Sequence, residues 1–235
     1  MKMASRVPLP PREGRSKRHI LIVDDHPIVR QGLRRMIEAE PDLTVCGEAE
    51  TERDARAAIR DLKPDGVIVD ISLSSGDGLE LVRNAHAQQQ GLAMLVLSMH
   101  DELIYAERVL AAGARGYIMK GAASESLLQA LRTVLEGKVW LSPALIANRR
   151  RTRHPKKNGA NGADASHDPF ERLSNRELQV LSLIGRGQSS REAADALTLS
   201  IKTIETHRQN LKRKLHLANN AQLLQYAINW YSSRA

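Results

Sequence analysis

The sequence predicts an α/β fold, a doubly wound parallel sheet built from five β/α units, followed by a small all-α domain. Three observations carry that prediction. From residue 19 to residue 136, short β-branched runs alternate with stretches of helical apolar spacing. The strand-like runs are apolar at every position, as in strands buried on both faces of a helix-covered sheet. Beyond residue 168 such runs stop, and capped helical segments follow one another.

Residues 19–23 (His-Ile-Leu-Ile-Val) form the first strand, and residues 27–39 the first helix, with Ile28, Leu33, Met36 and Ile37 on its apolar side. Residues 43–46 are a strand and 51–62 a helix opened by Thr51; 67–69 are a strand and 78–87 a helix. Residues 92–97 are a strand, and 101–112 a helix ended by Gly113. Residues 116–119 are the last strand, and 124–135 a helix ended by Gly137. This (βα)5 order is that of a flavodoxin-like domain. Residues 148–168 have no periodicity and hold Arg149-Arg150-Arg151, Pro155-Lys156-Lys157 and an Asn/Gly-rich run, the composition of a flexible cationic linker. Ser174 to Glu177 and Ser189 to Glu192 are capping boxes, each opening a helix. Ser200 caps a third over 201–215, and 219–230 make a fourth. Only Thr198-Leu199-Ser200 separates the second from the third, a helix-turn-helix spacing. The expected division is a basic disordered tail over 1–17, the α/β domain over 18–146, the linker over 147–168 and the helical domain over 169–235.

Composition narrows the function. Cys46 is the single cysteine, so an intrachain disulfide or a Cys-rich zinc site is excluded; a buried, inert thiol in a reducing cytoplasm fits. No apolar run approaches the ~18 residues of a membrane span. Residues 1–17 are basic, with three prolines and no apolar stretch, unlike a secretory signal. Seven aromatic residues argue against a base-stacking RNA platform. The net charge of +8 divides unevenly. Residues 18–146 carry 14 basic and 19 acidic side chains, whereas 169–235 carry 10 basic and 5 acidic. A polyanion partner is expected of the helical domain alone.

Ligands of a parallel α/β sheet sit beyond the carboxyl ends of its strands. Those ends carry Asp24 and Asp25, Asp70, Ser98 and Lys120. Singly, an Asp there is most often a turn residue; five such residues on one topology form a constellation. Asp24, Asp25 and Asp70 suit a hard divalent cation, Mg2+. Ser98 and Lys120 offer a hydroxyl and a positive charge to phosphoryl oxygens, with Asp70 as nucleophile. The eight histidines hold no HxxxH pair, His26 reads as a helix-start residue, and no GxxxxGK[ST] loop occurs.

Wound at about 100° per residue, the third C-terminal helix gathers Ile201, Ile204, Leu211 and Leu215 on one side. Opposite lie Lys202, Glu205, Thr206, Gln209 and Arg213, flanked by Lys212 and Lys214. Such a face suits a major groove: Lys202, Lys212 and Arg213 for phosphates, and Glu205, Thr206 and Gln209 for base edges. Arg208 lies toward the flank of the apolar side.

Ile22-Val-Asp-Asp-His-Pro27, Val69-Asp-Ile-Ser-Leu73, Leu97-Ser-Met-His100 and Gly116-Tyr-Ile-Met-Lys120 resemble the receiver domain of bacterial two-component response regulators. Leu173-Ser-Asn-Arg-Glu177, Leu199-Ser200, Thr203-Ile-Glu-Thr-His207 and Leu211-Lys-Arg-Lys-Leu215 resemble the LuxR-type helix-turn-helix of the NarL/FixJ subfamily. The resemblance implies phosphorylation of Asp70 by a sensor histidine kinase, with Lys120 on the phosphoryl oxygens. It implies Mg2+ held by Asp25, Asp70 and the Ser72 backbone carbonyl, with Asp24 acting through water. Ser98 and Tyr117 would be a switch pair, the ring turning inward as the hydroxyl moves. Partners would be the kinase, double-stranded promoter DNA and a second copy of the chain when active. Ser74 replaces a usual proline, and Ala193 a usual larger aliphatic. Two rivals differ in class. A phosphatase using Asp70 would need an Asp-x-Asp general acid, which is missing; a receiver-type interaction protein would work without phosphorylation. The expectation is a cytoplasmic transcription regulator and not an enzyme.

Overall fold

The computed structural model describes residues 17–73, 76–122, 124–152 and 173–232, with side chains left out at 148–152. The tail before Lys17, the linker from residue 153, and Ser74 lie outside the described residues. Five strands, β1 (Arg18–Val23), β2 (Leu43–Ala49), β3 (Gly66–Asp70), β4 (Ala93–Ser98) and β5 (Gly116–Met119), form one sheet in the order β2-β1-β3-β4-β5. They alternate with α1 (Pro27–Glu38), α2 (Glu52–Leu62), α3 (Gly78–Gln88), α4 (Glu102–Ala111) and α5 (Ser124–Leu135). Then come α6 (Pro143–Thr152), α7 (Asn175–Gly185), α8 (Ser190–Leu197), α9 (Ile201–Lys214) and α10 (Asn220–Ser232). The flavodoxin-like sheet and the helical domain match the expectation.

By their contacts the residues fall into two compact units. One takes in β1–β4, α1–α3 and α5; the other takes in α4, Tyr117–Met119 of β5 and α6–α10. In the first, Ile20 to Val23, Val67 to Val69 and Leu95 to Val96 are fully buried, as their continuous apolarity requires. Each contributes about 1.5–3 kcal/mol on burial. In the second, Leu178, Leu181, Ile204, Leu211 and Leu223 form the core.

Local signals set the helix ends. Thr51 caps α2 by accepting from the Asp54 N–H, and both serine capping boxes form with their glutamates. Gly113 and Gly137, at φ +106° and +79°, supply the left-handed turns after α4 and α5.

Five local readings change. β2 runs on past Cys46 to Ala49, and its pairing with β1 skips one residue: Ile20 faces Val45, but Leu21 faces Gly47. Cys46 is the extra residue of that bulge, which leaves it half-buried rather than buried. Burial still pushes its thiol up, toward the inert form. Residues 147–152, read as linker, are helical. Ser142 and Pro143 start α6, the Ser142 hydroxyl and carbonyl accepting from the Leu145 and Ile146 N–H groups. On α1 the buried face is Arg30, Leu33 and Ile37, and Ile28 is 83% exposed. On α9, Ile201 is exposed because the first turn extends past the core that holds Ile204, Leu211 and Leu215.

The start of α3 packs directly on the end of β3. A Cβ on Gly78 would meet the Asp70 carbonyl oxygen at 2.2 Å, whereas one on Gly32 of α1 meets nothing within 4 Å. Gly78→Ala is therefore expected to destabilise the chain by about 1–3 kcal/mol in urea unfolding. Gly32→Ala, which only gains helix propensity, should leave stability unchanged or raise it by up to about 1 kcal/mol.

Candidate functional site

Strand register assembles the acidic pocket. The chain order reverses between β1 and β3, so the crevice expected of a doubly wound sheet opens at their carboxyl ends. Val23 lies opposite Val69, which brings Asp24 beside Asp70; Asp70 lies opposite Leu97, which brings Ser98 to the same rim. The Lys120 N–H donates to the Ser98 carbonyl at 2.8 Å, tying the exit of β5 to that of β4. Asp24, Asp70 and Ser98 are buried and Asp25 is partly so. Ligand oxygens of Asp24, Asp25 and Asp70, together with a ring nitrogen of His26, lie within 4.8 Å of one another.

The Lys120 ammonium sits 2.7 Å from both Asp24 Oδ2 and Asp70 Oδ2. Asp70 Oδ1 accepts from the Ser72 N–H at 2.9 Å. Burial pushes the Asp70 carboxyl above its ordinary range, against the pull of Lys120 and the Ser72 N–H. Burial alone would lower Lys120, but the two carboxylates raise it and keep it charged. His26 is the N-cap residue of α1, as expected. Its ring, which the sequence reading set aside, nevertheless stands 2.8 Å from Asp25 Oδ1 and 3.2 Å from Asp24 Oδ1. Tyr117 is fully buried, its hydroxyl donating to the His100 carbonyl at 2.7 Å.

The second unit displays α9 on α7 and α8. Of the residues expected to meet DNA, Lys202, Thr206, Gln209 and Arg213 are exposed, while Glu205 and Lys212 are half-covered. Thr206 Oγ1 donates back to the Lys202 carbonyl, and Arg213 to Asn210 Oδ1, both at 3.0 Å. Glu205 accepts from the Ser190 hydroxyl on α8 and has Arg208 Nε 3.8 Å away. It therefore anchors the turn between the two helices as well as lying on the outer face. Arg208 is largely covered, consistent with its flank position.

Comparison with known proteins matches both halves. A model of the response regulator receiver domain fits residues 20–132, and one of the bacterial regulatory proteins of the luxR family fits residues 171–227. The oxygen regulatory protein NreC of Staphylococcus carnosus (strain TM300) is 33% identical over 210 residues, covering 89% of this chain and 96% of that protein. The chain belongs to the LuxR-family two-component response regulators. A response regulator of this family from Aurantimonas sp. SI85-9A1 superposes with a TM-score of 0.56 at 34% identity, over 59% of this chain and 99% of that one. RcsB of Salmonella enterica serovar Typhimurium, bound to promoter rprA with the phosphomimetic BeF3−, gives 0.57 at 27% identity, over 90% and 98%. A receiver joined to a LuxR-type DNA-binding domain implies phosphorylation-regulated transcription, the work of a regulator and not of a conventional enzyme. No described helix of this response regulator is long and apolar enough to cross a membrane.

Three contributors to these sites escaped the sequence reading. Arg30, unmarked on a helix rich in arginine, reaches the Asp24 carbonyl. The sequence marks Glu177 only as a cap. The glutamate also accepts from Lys214 Nζ at 2.7 Å, locking the start of α7 to the end of α9. His207, half-buried and within the electrostatic reach of Glu177 and Lys214, stands in the sequence only as part of a motif. Burial would raise Glu177, but the bonds from Lys214 and Ser174 outweigh it and lower it. Burial lowers His207. A depressed histidine stabilises the fold fully above its unfolded value near 6.5 and loses that contribution as pH falls toward its folded value. The stability difference between wild type and His207→Gln, from urea unfolding, should therefore narrow between pH 7.5 and pH 5.5. Glu177 adds a second loss below about pH 4.5.

Proposed function

We propose that this response regulator, with its receiver over 18–146 and its DNA-binding domain over 169–235, accepts a phosphoryl group on Asp70 from a histidine kinase. Its binding to promoter DNA changes as a result. The observation that carries the reading is the buried Asp70 carboxylate held by Lys120 beside Asp24 and Asp25 at the switch point of the sheet. An Asp70 oxygen bonds to phosphorus of the kinase's phosphohistidine. The P–N bond breaks, the imidazole leaves with the electron pair, and an aspartyl phosphate remains. Lys120 passes from the carboxylates to the phosphoryl oxygens, and the Ser98 hydroxyl donates to one of them.

The all-oxygen carboxylate set fits Mg2+: Asp25, Asp70 and the Ser72 carbonyl would hold it, with Asp24 acting through water. When bound it supplies the positive charge that neutralises the acids and the arriving group. Tyr117 carries the change outward. Its buried ring ends on the His100 carbonyl, and the His100 ring meets the Gln179 amide of α7 at 2.7 Å within the second unit. On DNA, Lys202, Lys212 and Arg213 neutralise phosphates while Glu205, Thr206 and Gln209 face base edges. A structure of RcsB is described as two dimers bound to two parallel DNAs, which supports a pair of copies as the active form.

Promoter binding of the wild type should respond to acetyl phosphate with Mg2+, measured by electrophoretic shift, and Asp70→Asn should not. An equal donor response in both sinks the reading and favours the interaction protein that works without phosphorylation. On the DNA face, Gln209→Ala should cost about 1–3 kcal/mol on the specific site and relax its sequence preference. Lys202→Ala should instead weaken specific and random DNA alike and reduce the salt slope by about 1. Fluorescence anisotropy across a salt series separates the two.

A further inference from the structure

Arg30 is a charged side chain on the buried face of α1, only 8% exposed, at a position where an amphipathic helix ordinarily places an aliphatic residue. A guanidinium is costly to bury unless its donors are met. Its Nη1 donates to the Asp24 backbone carbonyl at 2.6 Å, its Nε to Glu48 Oε2 at 3.2 Å and its Nη2 to Glu50 Oε1. Two of these partners are carboxylates at the end of β2; the third is the main chain between the two pocket acids. The Asp24 N–H is held independently by the Ala49 carbonyl at 3.1 Å, and Asp24 Oδ1 accepts from the His26 N–H at 2.8 Å.

The Asp24–Asp25 peptide is thus fixed through its carbonyl by Arg30, and the residue before it is fixed through its own N–H. Rotating that peptide plane would swing the Asp25 carboxylate out of the cluster and tilt that of Asp24. We propose that Arg30 is a positioning residue of the divalent-cation site: it touches neither cation nor phosphoryl group, and it sets the orientation of the peptide that delivers two of the three carboxylates. Glu48 and Glu50 hold the fork in place. A lysine cannot substitute, because a point charge on a flexible stem cannot span a carbonyl and two carboxylates at once.

The inference rests on reading the pocket as a cation site. Geometry and charge pull apart in a useful way. Deleting the arginine charge would, by removing Coulomb repulsion alone, strengthen cation binding; loosening the peptide weakens it. Arg30→Lys keeps the charge and removes the fork, so it isolates the geometric part.

The test is Mg2+ binding to the full chain by titration calorimetry, paired with phosphorylation by acetyl phosphate across a Mg2+ series. Arg30→Lys is expected to weaken Mg2+ about tenfold and move the phosphorylation midpoint equally, with the plateau at saturating Mg2+ within twofold of wild type. A merely structural role would lower the number of competent molecules, and so the plateau, without moving the midpoint; that result overturns the proposal, as does unchanged Mg2+ affinity. Arg34→Lys, which shares Glu48 at 2.6 Å but does not touch the Asp24 loop, should match wild type. Should Arg30→Lys fail to fold, Glu50→Gln decides, its side chain being 62% exposed. A two- to threefold weakening that persists at 0.5 M KCl supports positioning. No effect, or one abolished by the salt that screens a surface charge, overturns it. Wild type failing to bind Mg2+ removes the cation-site reading itself, a result distinct from all of these.

Discussion

Three carboxylates gathered at the end of two buried strands cannot stand without positive charge, and the rest of the first unit is arranged around that requirement. Asp24 and Asp70 are almost fully enclosed, where an isolated carboxylate would simply take up a proton. Lys120 answers from the exit of β5, three strands along the sheet from β1, so the pocket is complete only when β1, β3 and β5 are all in register. Its ammonium is shared equally between Asp24 and Asp70, a balance that an added phosphoryl group or a divalent cation would upset. The same buried charges that cost stability thereby make the pocket responsive.

Much of this was legible beforehand because the sheet is parallel and doubly wound. Unbroken apolar runs announce strands covered on both faces, and once five alternate with helices, the residues following each run must share one rim. Asp24, Asp70, Ser98 and Lys120 could be placed together without coordinates for that reason. The two capping boxes and Ser200 located the helices of the second unit equally well, since their signals are local.

What stayed hidden depends on contacts between elements. Helical spacing puts Arg30 with Leu33 and Ile37 and leaves Ile28 on the opposite side, but an arginine among apolar residues gives no sign of what will meet its charge; that is supplied by Glu48 on β2 and Glu50 just beyond it. Glu177 announced its cap through Ser174, three residues away, but not its bond to Lys214, 37 residues on. Glu205 read as a free acceptor until the structure set Ser190 against it. α6 was missed because its cationic run resembles a linker, although Ser142 and Pro143 mark its start.

The bulge at Cys46 has a further meaning for how this strand tolerates change in length. Gly47 faces Leu62 of α2, and Glu48 faces Arg30 and Arg34 of α1. That assignment of faces exists because one residue is left out of the pairing just before them; in an unbroken ladder, Glu48 would alternate to the α2 side. The strand therefore carries slack of a single residue. Losing Cys46 outright would straighten the ladder while Gly47, Glu48 and Ala49 keep their partners on β1. Losing Gly47 instead would let Cys46 take its place in the straightened ladder, with Glu48 still on the α1 side, whereas losing Glu48 removes one of the two acids that hold Arg30. Changes of length in this segment are thus filtered by arithmetic of odd and even, and the bulge can absorb the loss of one residue at 46 or 47 without turning Glu48 to the other face.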